Sequence, residues 1–97
     1  MASAGRGDYG GGMKVIEVQP TPNPNAMKFV VDGSFGESAQ SFFNAAAAKD
    51  HPLATSLFGL KGVTSVLLVN DFVTVNKTAG VTWKTLTPLV KKVLAGA

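Results

Sequence analysis

The sequence predicts a small α+β domain, a mostly antiparallel β-sheet with two helices packed on one face, in the order β-β-(β)-α-β-β-α. Three observations lead there. Two short β-branched runs flank Asn70-Asp71, the pattern of a hairpin. Two later segments, around residues 52–60 and 83–94, repeat apolar side chains at helical spacing. Hydrophobic residues make up 45% of the 97 and charged residues 15%, enough for one modest core and more than a disordered chain carries.

The strands come first. Residues 14–19 (KVIEVQ) bring Val15, Ile16 and Val18 together and read as a strand. Residues 20–25 (PTPNPN) then stop the ladder, because three prolines lack the N–H it needs. Residues 27–31 (MKFVV) resume it, with Met27, Phe29 and Val31 on one face and Lys28 and Val30 on the other. Asp32-Gly33-Ser34 is turn chemistry. The stretch 35–43 has no clear period, and a short edge strand near 41–43 is its one candidate element.

Asn44 ahead of four alanines has the form of an N-cap and a helical turn. At His51-Pro52 a helix restarts, since proline suits the first helical position. Leu53, Leu57 and Leu60 recur there at helical spacing beside Ala54 and Phe58, and Gly59 and Gly62 provide the stop. Residues 63–69 and 72–77 form the hairpin, its turn residues tolerant of positive φ. Trp83, Leu86, Leu89, Val90, Val93 and Leu94 share the apolar side of a last helix. It is expected to begin near Thr82 and to bend at Pro88, whose ring removes one backbone bond.

Residues 1–12 (MASAGRGDYGGG) hold three consecutive glycines and little apolar content. They are expected to form a flexible tail or an added leader before a single domain over 13–97, with Met13 a candidate start. The Arg6-Gly7-Asp8 triplet matches an adhesion tripeptide, which chance explains in an unexported chain. No run nears the roughly 18 apolar residues that cross a bilayer, and residues 1–12 show no signal or transit pattern. The expected location is cytoplasmic, with no membrane contact.

Cysteine is absent, which excludes disulfides, thiolate nucleophiles and any self-contained Cys-ligated zinc or iron–sulfur site. The single histidine excludes a His-rich metal cage, so no cofactor or metal ligand is expected. His51 is the only conventional general base. At a helix start a structural role outweighs a catalytic one, which needs a nucleophile and an orienting group converging on it. Ser34, Ser38, Ser41 and Ser56 lie in no nucleophile elbow, and Gly33-Ser34-Phe35-Gly36 lacks the lysine of a phosphate-binding loop. Asn76-Lys77-Thr78 is a glycosylation sequon, which matters only in a secreted chain. The protein is not expected to be an enzyme.

The net charge is +3 and the lysines are scattered. Lys28-Phe29 and residues 72–77 offer a faint version of the basic–aromatic interleaving that nucleic-acid-binding sheets use. A small basic nucleic-acid-binding domain therefore stands as the alternative function, although nucleic acid is not the favoured partner. Pro22-Asn23-Pro24-Asn25 is either a rigid connection or a preformed recognition loop, and its composition suits both.

Several motifs fall into one order: Thr21-Pro22-Asn23-Pro24-Asn25-Ala26-Met27-Lys28-Phe29, then Pro52-Leu53-Ala54, Leu57-Phe58, Gly62-Val63, Asp71-Phe72-Val73-Thr74-Val75-Asn76-Lys77 and Trp83. From about residue 14 to about 94 the chain resembles the N-terminal domain of the Nfu/NifU-type iron–sulfur cluster scaffold proteins. The resemblance implies a small α+β fold and a non-enzymatic, accessory role in cluster assembly or transfer. In the full-length scaffolds a second domain with a Cys-x-x-Cys motif holds the cluster. These 97 residues carry no cysteine, so cluster ligation does not transfer. What the resemblance leaves is protein contact with iron–sulfur assembly or client proteins. Among the matched positions Met27, Phe29, Leu53, Leu57, Phe58, Val63, Phe72, Val75 and Trp83 are expected in the core. Asn23, Asn25, Lys28, Asp71, Thr74 and Lys77 are polar without a packing reason and form the candidate partner-binding set. Lys28 and Lys77 are expected to share a basic patch beside the Asn-rich loop, while Asp71 equally suits a simple cap on the hairpin turn.

Overall fold

The computed structural model describes residues 13–96, so the tail expected over 1–12 lies outside the described residues. Five strands, β1 (Val15–Pro20), β2 (Ala26–Val31), β3 (Gln40–Phe42), β4 (Val63–Val69) and β5 (Phe72–Lys77), form one sheet. Its order is β1-β2-β5-β4-β3, and every neighbouring pair is antiparallel. A short 3-10 turn (Ala46–Ala48) precedes helix α1 (Pro52–Phe58), and helix α2 (Trp83–Gly96) closes the chain. The α+β class and element order match the expectation, including the short edge strand.

One face of the sheet is covered. Phe29, Val31, Val66, Leu68, Val73 and Val75 meet Leu53 and Leu57 of α1 and Leu86, Val90 and Leu94 of α2 in a single buried cluster. Each such side chain contributes on the order of 1.5–3 kcal/mol of burial free energy. In β1 the register shifts between Val15 and Glu17, which makes Ile16 an extra residue, 60% exposed. That bulge lets Val15 and Val18 both pack on the core. Pro20 is the strand's last residue, opposite Met27. The edge strand tolerates its missing N–H there.

The turns explain the connections. Asn70 is the one non-glycine residue at positive φ among those described, at 50°, which asparagine adopts at small cost. Its N–H donates to the Gly36 carbonyl at 2.7 Å, and its own carbonyl accepts from Phe35 N–H at 2.6 Å. The loop after β2 is thereby clamped onto the β4–β5 hairpin. Gly62 sits at φ +96°, and a Cβ there would lie 2.5 Å from a Val81 methyl, so only glycine fits. Gly59, by contrast, ends α1 at φ −69° without leaving the right-handed region.

The helix starts fall where the sequence places them. The Asn44 side chain accepts the Ala47 N–H at 2.7 Å. His51 is extended, and its Nδ1 accepts the Ala54 N–H at 3.2 Å, so this histidine caps α1 ahead of Pro52. The carbonyl of Thr82 accepts the Leu86 N–H at 3.0 Å, and α2 continues through Pro88. Pro88 is exposed and, having no N–H, donates no bond to the carbonyl of Lys84 one turn before it.

Candidate docking face

Among the described residues no helix packs on the second face of the sheet. The strand period of two brings Glu17 and Gln19 of β1, Ala26, Lys28 and Val30 of β2, and Phe72, Thr74 and Asn76 of β5 to it. β4 adds Ser65, Leu67 and Val69. Val30, Phe72 and Val69 lie in one cross-strand row, and Lys28, Thr74 and Leu67 in the next. All six are half-buried by their neighbours. Lys28 and Phe72 are diagonal neighbours, and the Lys28 Nζ stands 4.2 Å from the centroid of the Phe72 ring. The result is an apolar centre with one cation fixed over an aromatic face, bordered by polar side chains.

Lys77 is elsewhere. It shares parity with Val73 and Val75, faces the core side of β5 and is only 9% exposed. Its ammonium donates to Asn25 Oδ1 and to the Thr78 carbonyl, each at 3.2 Å, and stands 5.5 Å from the Trp83 ring. The expected patch joining Lys28 to Lys77 does not form, because residues 28 and 77 project from opposite faces of adjacent strands. Phe72 likewise leaves the expected core set and belongs to the open face.

The Asn-rich loop is built on internal bonds. Asn23 Oδ1 accepts the Asn25 N–H at 2.9 Å, and the Asn23 carbonyl accepts the Ala26 N–H at 3.0 Å. The Asn25 carbonyl accepts the Lys77 N–H at 2.8 Å. Trp83 Nε1 donates to the Pro24 carbonyl at 3.0 Å, and the Trp83 ring meets Phe29 at 6.2 Å between centroids. The segment is thus a rigid β–β connection tied to β5 and α2, with Asn25 and Lys77 as its fastening and Asn23 exposed on its outside. Asp71 is exposed at the hairpin turn, and its carbonyl accepts the Val31 N–H at 2.8 Å.

Of the six candidate residues, Lys28 and Thr74 stand together on the open face, with Asp71 at the turn that ends its β5 side. Val30, Leu67, Val69 and Phe72 complete that face and were not among the candidates. Their signal was the alternation itself, since every second residue of β2, β4 and β5 must point away from the helices. Among the described residues no group of three or more His, Asp or Glu is placed to hold a metal ion. No helix of the described residues is long and apolar enough to cross a membrane.

Fold and site together define a class: a small antiparallel α+β domain with one sheet face sealed by helices and the other left open. The chain belongs to the Nfu/NifU family, since the model described as "Scaffold protein Nfu/NifU N terminal" matches residues 16–97. It is 38% identical over 81 residues to the mitochondrial NFU1 iron-sulfur cluster scaffold homolog of Drosophila erecta, covering 81% of this chain and 29% of that protein. It is 39% identical over 74 residues to the mitochondrial NifU-like protein 5 of Arabidopsis thaliana, covering 75% and 27%. The chain therefore spans less than a third of these curated relatives. Among solved structures, protein SAV1430 of Staphylococcus aureus superposes with a TM-score of 0.73 at 29% identity, over 84% of this chain and 98% of that one. A NifU-like protein of Saccharomyces cerevisiae shares the fold with a TM-score of 0.73 at 24% identity, over 98% and 84%.

Proposed function

We propose that the protein is a non-enzymatic accessory of iron–sulfur cluster assembly or transfer, docking on an assembly or client protein through the open sheet face. The observation that carries this reading is the helix-free face itself, apolar around Phe72 and holding one aligned cation, Lys28. A polar border around an apolar centre is the anatomy of a protein interface. In this reading Lys28 and Thr74 contact the partner directly and Asp71 borders the contact. Asn23 flanks it from the loop, while Asn25 and Lys77 act by holding that loop. The cluster is cargo, and its thiolates come from the partner, because these 97 residues carry no cysteine.

The test is affinity capture of the tagged chain from lysate of its own organism, alongside Lys28→Glu and Phe72→Ala variants. Enrichment of a cysteine desulfurase, a cluster scaffold or iron–sulfur client enzymes, lost with both variants, supports the reading. Retention of the same proteins by both variants overturns the assignment of the face. Capture dominated by nuclease-sensitive ribonucleoproteins puts nucleic-acid binding in its place. A stable visible chromophore on the isolated chain after iron and sulfide are added overturns the non-ligating role. Cytoplasmic placement is likewise a proposal. Because the curated relatives above are named as mitochondrial, recovery of the native protein in a mitochondrial fraction replaces it.

A further inference from the structure

The outer side of α2 carries charge of one sign only. Lys84, Lys91 and Lys92 are exposed there, and the helix has no acidic residue. The remaining described residues carry five lysines and five carboxylates, so the net positive charge of the folded part resides on α2 alone. At 3.6 residues per turn the three lysines lie within an arc of about 100°, with Lys84 and Lys91 about 10 Å apart along the axis. Leu89, 41% exposed, lies about 60° beyond Lys92, on the flank away from Lys84 and Lys91.

Intramolecular causes do not account for this charge. None of the three lysines has a hydrogen-bond or ion-pair partner among the described residues. Lys84 is in the first turn, where the helix dipole disfavours a cation, and the last turn holds no basic residue.

We propose that this side of α2 is a second docking surface, which takes an acidic helix of a partner protein. Carboxylates seven and eight residues apart on such a helix match Lys84, Lys91 and Lys92. A membrane is a poor occupant, because Leu86, Val90 and Leu94 are fully buried and Leu89 is the one large exposed apolar side chain of α2 left to insert. Nucleic acid is also disfavoured. The described residues include no arginine, and the one aromatic of α2, Trp83, has its indole N–H engaged by Pro24. The inference goes beyond the reading of the open sheet face and is independent of it, since the two surfaces look in opposite directions. Together they make the domain a bridge between two partners.

The test is a titration of the isotope-labelled full chain, followed by NMR, with an alanine-based helical peptide. The peptide carries glutamates seven and eight residues apart. Expected are saturable shifts confined to residues 84–92, lost at high salt and absent with a glutamine-for-glutamate control peptide. The variant Lys84→Glu with Lys91→Glu and Lys92→Glu binds about tenfold more weakly or worse, as three exposed ion pairs imply. Phe72→Ala binds as wild type, which separates failure here from failure of the sheet-face reading. Shifts elsewhere, no shifts at millimolar peptide, or tighter binding of a single-stranded RNA oligonucleotide overturn the proposal.

Discussion

The two faces of β5 are made by alternate residues of six and do opposite work. Val73, Val75 and Lys77 are buried against the helices, while Phe72, Thr74 and Asn76 remain half open on the bare side. Lysine appears on both faces of the central strand pair. Lys28 is held over an aromatic ring at the surface, whereas Lys77 is buried and bonded to a loop and a backbone carbonyl. Residue type alone does not separate an interaction residue from a structural one here. Parity against the helix layer does.

The largest expected contrast is between two phenylalanines. Phe29→Ala on the covered face opens a cavity and removes the ring contact with Trp83, at a cost of about 3–5 kcal/mol. Phe72→Ala on the open face costs about 1 kcal/mol or less, because the ring is only half-buried and loses mainly its contact with Lys28. Urea midpoints of the two variants measure the difference, and equal losses break the distinction between the faces.

A middle-sized effect sharpens the comparison of the lysines. Asn25→Ala strips an acceptor from the buried Lys77 ammonium and is expected to destabilise by about 1–3 kcal/mol. Lys28→Ala is expected to stay near 0.5 kcal/mol in the same denaturation measurement, since its partner is an exposed ring contact. The smallest effect lies at the hairpin turn, where Asn70→Gly is expected within a few tenths of a kcal/mol of wild type. Asn70→Val is expected to lose about 1–2 kcal/mol because a β-branched residue resists φ of 50°. A valine variant as stable as wild type shows that the turn has rearranged.

Local chemistry made most of the fold legible. The β-branched runs around Asn70-Asp71, the cap at Asn44, the helix start at His51-Pro52 and the apolar side of α2 each act within a few residues, and each is found in place. Gly59 and Gly62 both stand at the stop after α1 as expected, but that Gly62 is the left-handed one, with Val81 leaving no room for a Cβ, depends on a residue outside the local pattern. The site was less legible. Lys77 reads as surface by type, yet the alternation that buries Val73 and Val75 also turns it inward. Its acceptor, Asn25, is 52 residues away. The Asn-rich loop left two readings open because its fastening to Trp83 spans 59 residues, a separation that no local pattern encodes.

That last bond has an optical consequence. Trp83 is the single tryptophan, so the tryptophan emission of the protein comes from one indole whose N–H rests on the Pro24 carbonyl and whose ring lies near an ammonium. Fluorescence thus reads the attachment of one loop to one helix, rather than an average over the molecule. Loosening of the Pro22–Asn25 segment changes the colour of the protein's emission without unfolding it. A ligand seated on the far side of the sheet leaves that signal silent.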